Sequence, residues 1–286
     1  MGLEDTDKLA DNEFSSTEVE YPFEYFDAQV RFAKKWSELS GDTFEKSLID
    51  KTALYRRIVG EIGSKKKQNQ LWFKAVEQVS RKSDVTSASR LLYSTYLKQE
   101  HSKYVVPTHH EDDGKHFGSF GFDYFEHNRL NNGKNTVKIH FINTQRGEKS
   151  GLNKDFQFQR REDLKRMFNY IKEKYPDAEE VIGGSWLYAL PGYRDSFPPK
   201  FIASMKRMVP DSFDSAIPDS VPHMSFTGNS VWGQFVNRSG GPRVDAYKKF
   251  IDGVNTSRTL VDLIEAFPMK TMQPKAPISV FYNWEP

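Results

Sequence analysis

Asp123 and His140 carry the clearest chemical signal in the sequence. Segment 116–125, HFGSFGFDYF, alternates: Phe120, Phe122 and Tyr124 fall on one side, Ser119, Gly121 and Asp123 on the other. Segment 136–142, TVKIHFI, alternates too, with Val137, Ile139 and Phe141 opposed to Lys138 and His140. A two-residue period marks a strand with one buried face. The polar stretch EHNRLNNGKN between them, with its Asn-Gly pair, predicts a hairpin loop. Antiparallel pairing would then bring Asp123 and His140 to the same polar face. A carboxylate beside an imidazole orients the ring and raises its basicity, as a general base requires. Two polar residues on the wet face of a sheet have the same sequence pattern, so both readings stand.

Other constellations are weaker. His109, His110, Glu111, Asp112 and Asp113 gather metal-binding residue types, but neighbours on an extended chain point to opposite faces. No zinc-site spacing occurs, and no metal ligand set is assigned. His223-Met224-Ser225-Phe226 matches one half of a two-histidine phosphoesterase signature whose second half is missing. Ser185, in GGSWL, lacks the trailing glycine of a nucleophile elbow. The loop QRGEKSGLNKD holds Arg146, Gly147, Lys149 and Gly151 ahead of a helix that starts with Arg160 and Arg161. Glycines and a helix N-terminus make a cradle for a phosphate; an ordinary basic surface loop reads the same way. Ser185, Trp186, Trp232 and Gln234 are candidate pocket residues, although large aromatics more often build cores.

The elements that must hold these residues are legible from periodicity. Residues 22–104 read as a helical unit: a helix from Pro22 to Leu39 closed by Gly41, a second opened by Asp42 and Glu45 and stopping around Gly60 to Gly63, and two more over 71–79 and 84–100. Residues 105–286 read as a mixed-sheet unit packed with those helices. Within it, 136–185 predicts strand, loop, helix and strand, a crossover that joins parallel strands. Further on, 231–236 and 278–282 are expected strands, and 244–254 and 260–267 expected helices. Residues 1–21 are acidic and read as a solvated tail without a signal peptide. The fold class is therefore α+β, a helical N-terminal unit followed by a mixed sheet.

Stretch 139–201 contains IHF, SGL, an amphipathic helix ending in YP, GGSWLYALP and SFPPKF. It resembles the C-terminal half of GNAT-like acyltransferase-domain proteins, with Ser185, Trp186, Leu187, Tyr188 and Pro191 standing at that group's Ser-Trp-Leu-Leu segment and following proline. It is also similar to uncharacterised bacterial proteins carrying SWLY and WGQF segments, here at 185–188 and 232–235. The resemblance implies a coenzyme A thioester as co-substrate, with its pantetheine arm along 137–142 and its pyrophosphate at Arg146, Gly147, Lys149 and Gly151. The loop QRGEKSG departs from the usual Gln/Arg-x-x-Gly-x-Gly/Ala pattern of that superfamily. In this reading His140 is the base, Asp123 its orienting partner, and Tyr188 the donor of a proton to the departing thiolate.

Composition sets outer limits. The 286 residues carry 41 Lys and Arg against 39 Asp and Glu, a formal charge of +2. That balance excludes nucleic-acid binding by bulk charge. With no cysteine, thiol catalysis, disulfides and cysteine-bound metal are excluded, which fits a reducing cytoplasm. No apolar run is long enough to span a membrane. A small-molecule substrate is expected, and the oligomeric state is left open. A histidine-based hydrolase or metal-dependent enzyme, or a binding protein without catalysis, are the other readings.

Overall fold

The computed structural model describes residues 18–60, 69–102, 104–105, 114–128, 133–142, 151–210, 223–227, 229–237 and 239–285. A short pair, β1 (Glu18–Val19) with β2 (Tyr104–Val105), ties the two ends of the first helical stretch together. Between them run α1 (Phe23–Ser40), α2 (Phe44–Lys51), α3 (Leu54–Val59), α4 (Gln70–Ser80) and α5 (Val85–Leu97). Helix α1 ends as its sequence predicts, on Gly41 in the left-handed region at φ 77°. The expected second helix is split. Thr43, rather than Asp42, caps α2 by accepting the Lys46 N–H. Thr52 then turns extended, with its hydroxyl on the Leu48 carbonyl, and the Gln29 side chain takes the Ala53 N–H. That buried glutamine from α1 supplies the bond that a continuous helix would have made itself.

The sheet follows. Strands β3 (His116–Phe117), β4 (Phe120–Asn128) and β5 (Lys134–Phe141) form an antiparallel meander. The single strand expected over 116–125 is thus a tight hairpin turning at Gly118 and Ser119. Gly118 has φ +54°, and a Cβ there would collide with the buried Asp163 carboxylate, which accepts the Ser119 N–H at 2.8 Å. Helix α6 (Gln157–Lys174) crosses over to β6 (Glu180–Ile182), which pairs parallel with β5 as the sequence predicts. With β11 (Lys275–Pro277) antiparallel on β6, the sheet order is β11-β6-β5-β4-β3. Leu164, Met167, Phe168 and Ile171 of α6 are buried against Phe117, Phe120, Phe122, Val137 and Ile139.

The rest is short elements: α7 (Pro191–Arg194), α8 (Pro199–Ala203), β7 (Lys206–Arg207), β8 (Val209–Pro210), β9 (His223–Met224) and α9 (Asn229–Trp232), then α10 (Val244–Thr256), α11 (Leu260–Glu265), β10 (Met272–Gln273) and α12 (Ser279–Tyr282). Two expected strands are helical. In 231–236, Val231, Trp232, Gln234 and Phe235 all face inward, which a two-residue period cannot do, and the Trp232 indole N–H closes on the Phe226 carbonyl. In 278–282, Phe281 stacks on Phe168 of α6 at 4.1 Å, so the chain coils there and leaves Lys275–Pro277 as the edge strand.

The apolar interior does not divide at residue 104. One core joins α1–α5 to residues 226–267, with Phe32, Phe226, Trp232, Phe235, Phe250 and Phe267 in a single aromatic nest. The other holds the sheet, α6, residues 188–201 and 276–281. The architecture is α+β, with helices first and a mixed sheet after.

Candidate active site on the outward sheet face

Strand register puts Gly121 opposite His140 and Asp123 opposite Lys138. Asp123 is therefore diagonal to His140 on the face turned away from α6. The carboxylate bypasses its direct neighbour Lys138 and meets the ring: His140 Nε2 lies 2.6 Å from Asp123 Oδ2. An ionised carboxylate only accepts, so Nε2 carries the proton and Nδ1 is the free basic nitrogen of the neutral ring. Nδ1 has no hydrogen-bond partner among the described residues. The side chains are 42% and 56% exposed, so a substrate can reach them. This is an imidazole oriented by a carboxylate, the arrangement that a general base needs.

A third residue joins this face that the sequence reading passed over. His116, Gly121 and His140 form one row across β3, β4 and β5. A Cβ at Gly121 would lie 2.9 Å from His116 Cδ2, so the His116 ring leans over bare backbone toward the His140 side. The signal was available: a glycine inside a strand marks close approach by something else.

Beside the pair the sheet opens. Strands β5 and β6 pair only from Thr136↔Glu180 to Lys138↔Ile182. Beyond that, β5 runs on to Phe141 with β4, while 183–185 swings to the other side. Gly183 N–H donates to the Pro274 carbonyl, and Ser185 and Met272 exchange backbone bonds. The joined end is fastened by Glu180, 9% exposed, whose carboxylate takes Lys134 at 2.5 Å and Lys275 at 2.9 Å. His140 stands two residues past the last pair.

Several expected site residues prove to be structural. Tyr188 is 1% exposed, packed among Tyr193, Phe197 and Phe201 on the α6 side of the sheet. Its hydroxyl abuts Gly183, lies beside Tyr193 without a well-formed hydrogen bond among the described residues, and is held protonated by burial. It does not serve the outward face. Trp232 and Gln234 are fully buried; Gln234 accepts the Met269 N–H and donates to the Val231 carbonyl, a brace for the first core. The Ser185 hydroxyl accepts the Leu187 N–H and caps the turn that follows. Trp186 is half-buried, with its face covered by Arg243.

The basic start of α6 is also committed. Arg160, 0% exposed, donates to the carbonyls of Gly151, Asn153 and Gly192 and to the Ser196 hydroxyl. Arg161 binds the Asp195 carbonyl with two nitrogens. These guanidinium groups sew the loop end at 151–153 to segment 192–196 and are not offered to a phosphate. Arg146, Gly147 and Lys149 lie outside the described residues, as does the His109 to Asp113 cluster. Ser225 of the half-motif bonds Thr227. Among the described residues no three His, Asp or Glu groups stand where they could hold a metal ion, and no helix is long and apolar enough to cross a membrane.

Compared with protein-family models, curated proteins and solved structures, the chain finds no match.

Proposed function

We propose that the chain is an acyltransferase of GNAT-like build that takes its acyl group from a coenzyme A thioester, with His140 as general base. One juxtaposition carries the reading: the Asp123–His140 contact at 2.6 Å sits where β5 and β6 part. The parted edge of β5, over Ile139–Phe141, has main-chain groups without a strand partner among the described residues, the kind of edge an extended ligand arm can pair with. The support is confined to the strand edge, since Arg160 and Arg161 are already bound to backbone oxygens.

The chemistry follows from the free nitrogen. His140 Nδ1 takes the proton of the acceptor's amine or hydroxyl as that atom attacks the thioester carbonyl. The carbon–sulfur bond then breaks, the electron pair leaves with sulfur, and the imidazolium returns the proton to the thiolate directly or through water. Asp123 keeps the ring in place and stabilises its charged form, so no role is left for Tyr188.

The test is thermal unfolding with coenzyme A and acetyl-coenzyme A. Ligand at about 100 times its dissociation constant stabilises the native state by roughly 2.7 kcal/mol, several degrees for a chain of this size. No shift with either compound rejects the reading. Because the pair faces water, a hydrolase that uses water as acceptor is the second reading; thioester consumption without an added acceptor would select it.

A further inference from the structure

Arg243 is half-buried, yet no carboxylate among the described residues meets it. Its guanidinium lies over the face of Trp186, 5.3 Å from the ring centroid, and forms no ion pair or side-chain hydrogen bond among the described residues. Burial alone pushes its proton affinity below the ordinary arginine value, with no acidic group opposing. Several other cations have carboxylates: Arg31 has Asp27, Arg166 has Asp163, and Arg207 and Lys270 share Glu265, while the buried Arg160 is satisfied by carbonyl and hydroxyl oxygens. Taking water from an unpaired guanidinium is unfavourable, and the indole face offsets part of that by cation–π attraction.

The indole adds a second donor. Trp186 Nε1 lies over Gly233, 3.5 Å from where a Cβ would stand, and its N–H meets no acceptor among the described residues. Both side chains hang from fixed backbone. Trp186 follows the Ser185–Met272 bridge, and the Arg243 N–H is bound to the Phe235 carbonyl at 2.9 Å. Trp186 comes from the sheet half, while Gly233 and Arg243 come from the half that packs with α1. The donors therefore sit at the seam between the two cores.

We propose that Arg243 and Trp186 form a binding site for the carboxylate or phosphate of a small-molecule ligand. The guanidinium fork takes two oxygens of the anion, as its planar geometry favours, and the indole N–H takes a third contact or the atom beside it. The site uses neither Asp123 nor His140, so either assignment can fail without the other.

The test is a titration of the full chain labelled at the indole nitrogens. The sequence has five tryptophans, and Trp186→Phe identifies the signal of interest by its loss. Inorganic phosphate and succinate are the probes, with chloride at equal ionic strength as control. The expected result is a saturable shift of the Trp186 signal with at least one probe, at a dissociation constant of about 1 mM or tighter. Phosphate alone assigns a phosphate ligand, and succinate alone a carboxylate. Arg243→Gln should weaken the response at least about tenfold, and Arg243→Lys should fall between, since an ammonium keeps the charge and loses the fork. Should Arg243→Gln unfold, Arg243→Lys carries the comparison. No saturable shift with either probe, a response equal to that with chloride, or undiminished binding in both variants overturns the proposal.

Discussion

The Asp163 carboxylate on α6 accepts the Ser119 backbone N–H at 2.8 Å, and the neighbouring Gly118 has no room for a side chain because that carboxylate fills it. One buried acid thus sets the β3–β4 turn, and through it the row in which His116 leans toward His140.

Asp163→Ala strips the turn of its acceptor and leaves a buried N–H unpaired, a loss of about 1–3 kcal/mol. Gln159 and Arg166, which also hold this carboxylate, lose that contact too. Chemical denaturation of the variant should show a lowered midpoint at an unchanged slope. Wild-type stability would mean that the turn is fixed by other contacts.

His140→Gln and Asp123→Asn test the proposed base and its partner. Loss of a general base lowers kcat by about 10²–10⁴-fold. Asp123→Asn should retain part of the rate, because Nε2 keeps a hydrogen-bonding neighbour but not a carboxylate to stabilise the charged ring. Acetyl-coenzyme A turnover with a panel of amines reads both variants, and full activity in His140→Gln would remove it as base.

Tyr188→Phe discriminates differently. Its hydroxyl is buried beside Tyr193 without a well-formed hydrogen bond among the described residues, so removing it relieves a largely unmet desolvation cost and should leave stability unchanged or higher by up to about 1 kcal/mol. Turnover should be untouched. A large fall in kcat with intact folding would return Tyr188 to the mechanism.

Alkaline stability should follow the tyrosines. Burial raises the hydroxyls of Tyr188, Tyr193 and Tyr247 above the ordinary range, and Asp27, which accepts from Tyr247 at 2.5 Å, raises the last further. Tyr124 is pushed up to about 12, by burial and then by Asp177. In the unfolded chain these groups lose protons near pH 10, while the folded chain keeps them, so the unfolded state binds fewer protons and stability falls as pH rises past about 10. Below that the contribution is fully present. Denaturation at pH 9 and pH 11 should differ less in Tyr188→Phe than in the natural chain; an equal difference would count against the assignment.

How much of this was visible in the sequence varies by element. The alternation around Asp123 and His140 placed both on one face because a strand with a buried side must alternate, and the i, i+3, i+4 pattern of Leu164, Met167 and Phe168 marked α6 for the same kind of reason. The failures share a cause of their own. Gln29 splitting the second helix, Asp163 folding 116–125 into a hairpin, and Arg160 gathering carbonyls from 151 to 192 are all bonds between residues far apart in sequence, and local periodicity carries no trace of them. Arg160 shows the difficulty best. A basic residue at a helix start has one appearance whether it awaits a phosphate or staples a loop, and burial alone separates the two.

The aromatic nest that joins α1 to residues 226–267 also fixes an order of assembly. As the chain leaves the ribosome, Phe32 and Trp36 are made some two hundred residues before the rings that cover them. Helices α1–α5 emerge first but cannot finish their interior, while the sheet strands and α6 close on near neighbours in the meantime. These earlier-made helices then wait for α10 and α11 to become dry, and until those arrive they carry exposed apolar surface, the kind that favours aggregation in partly folded chains.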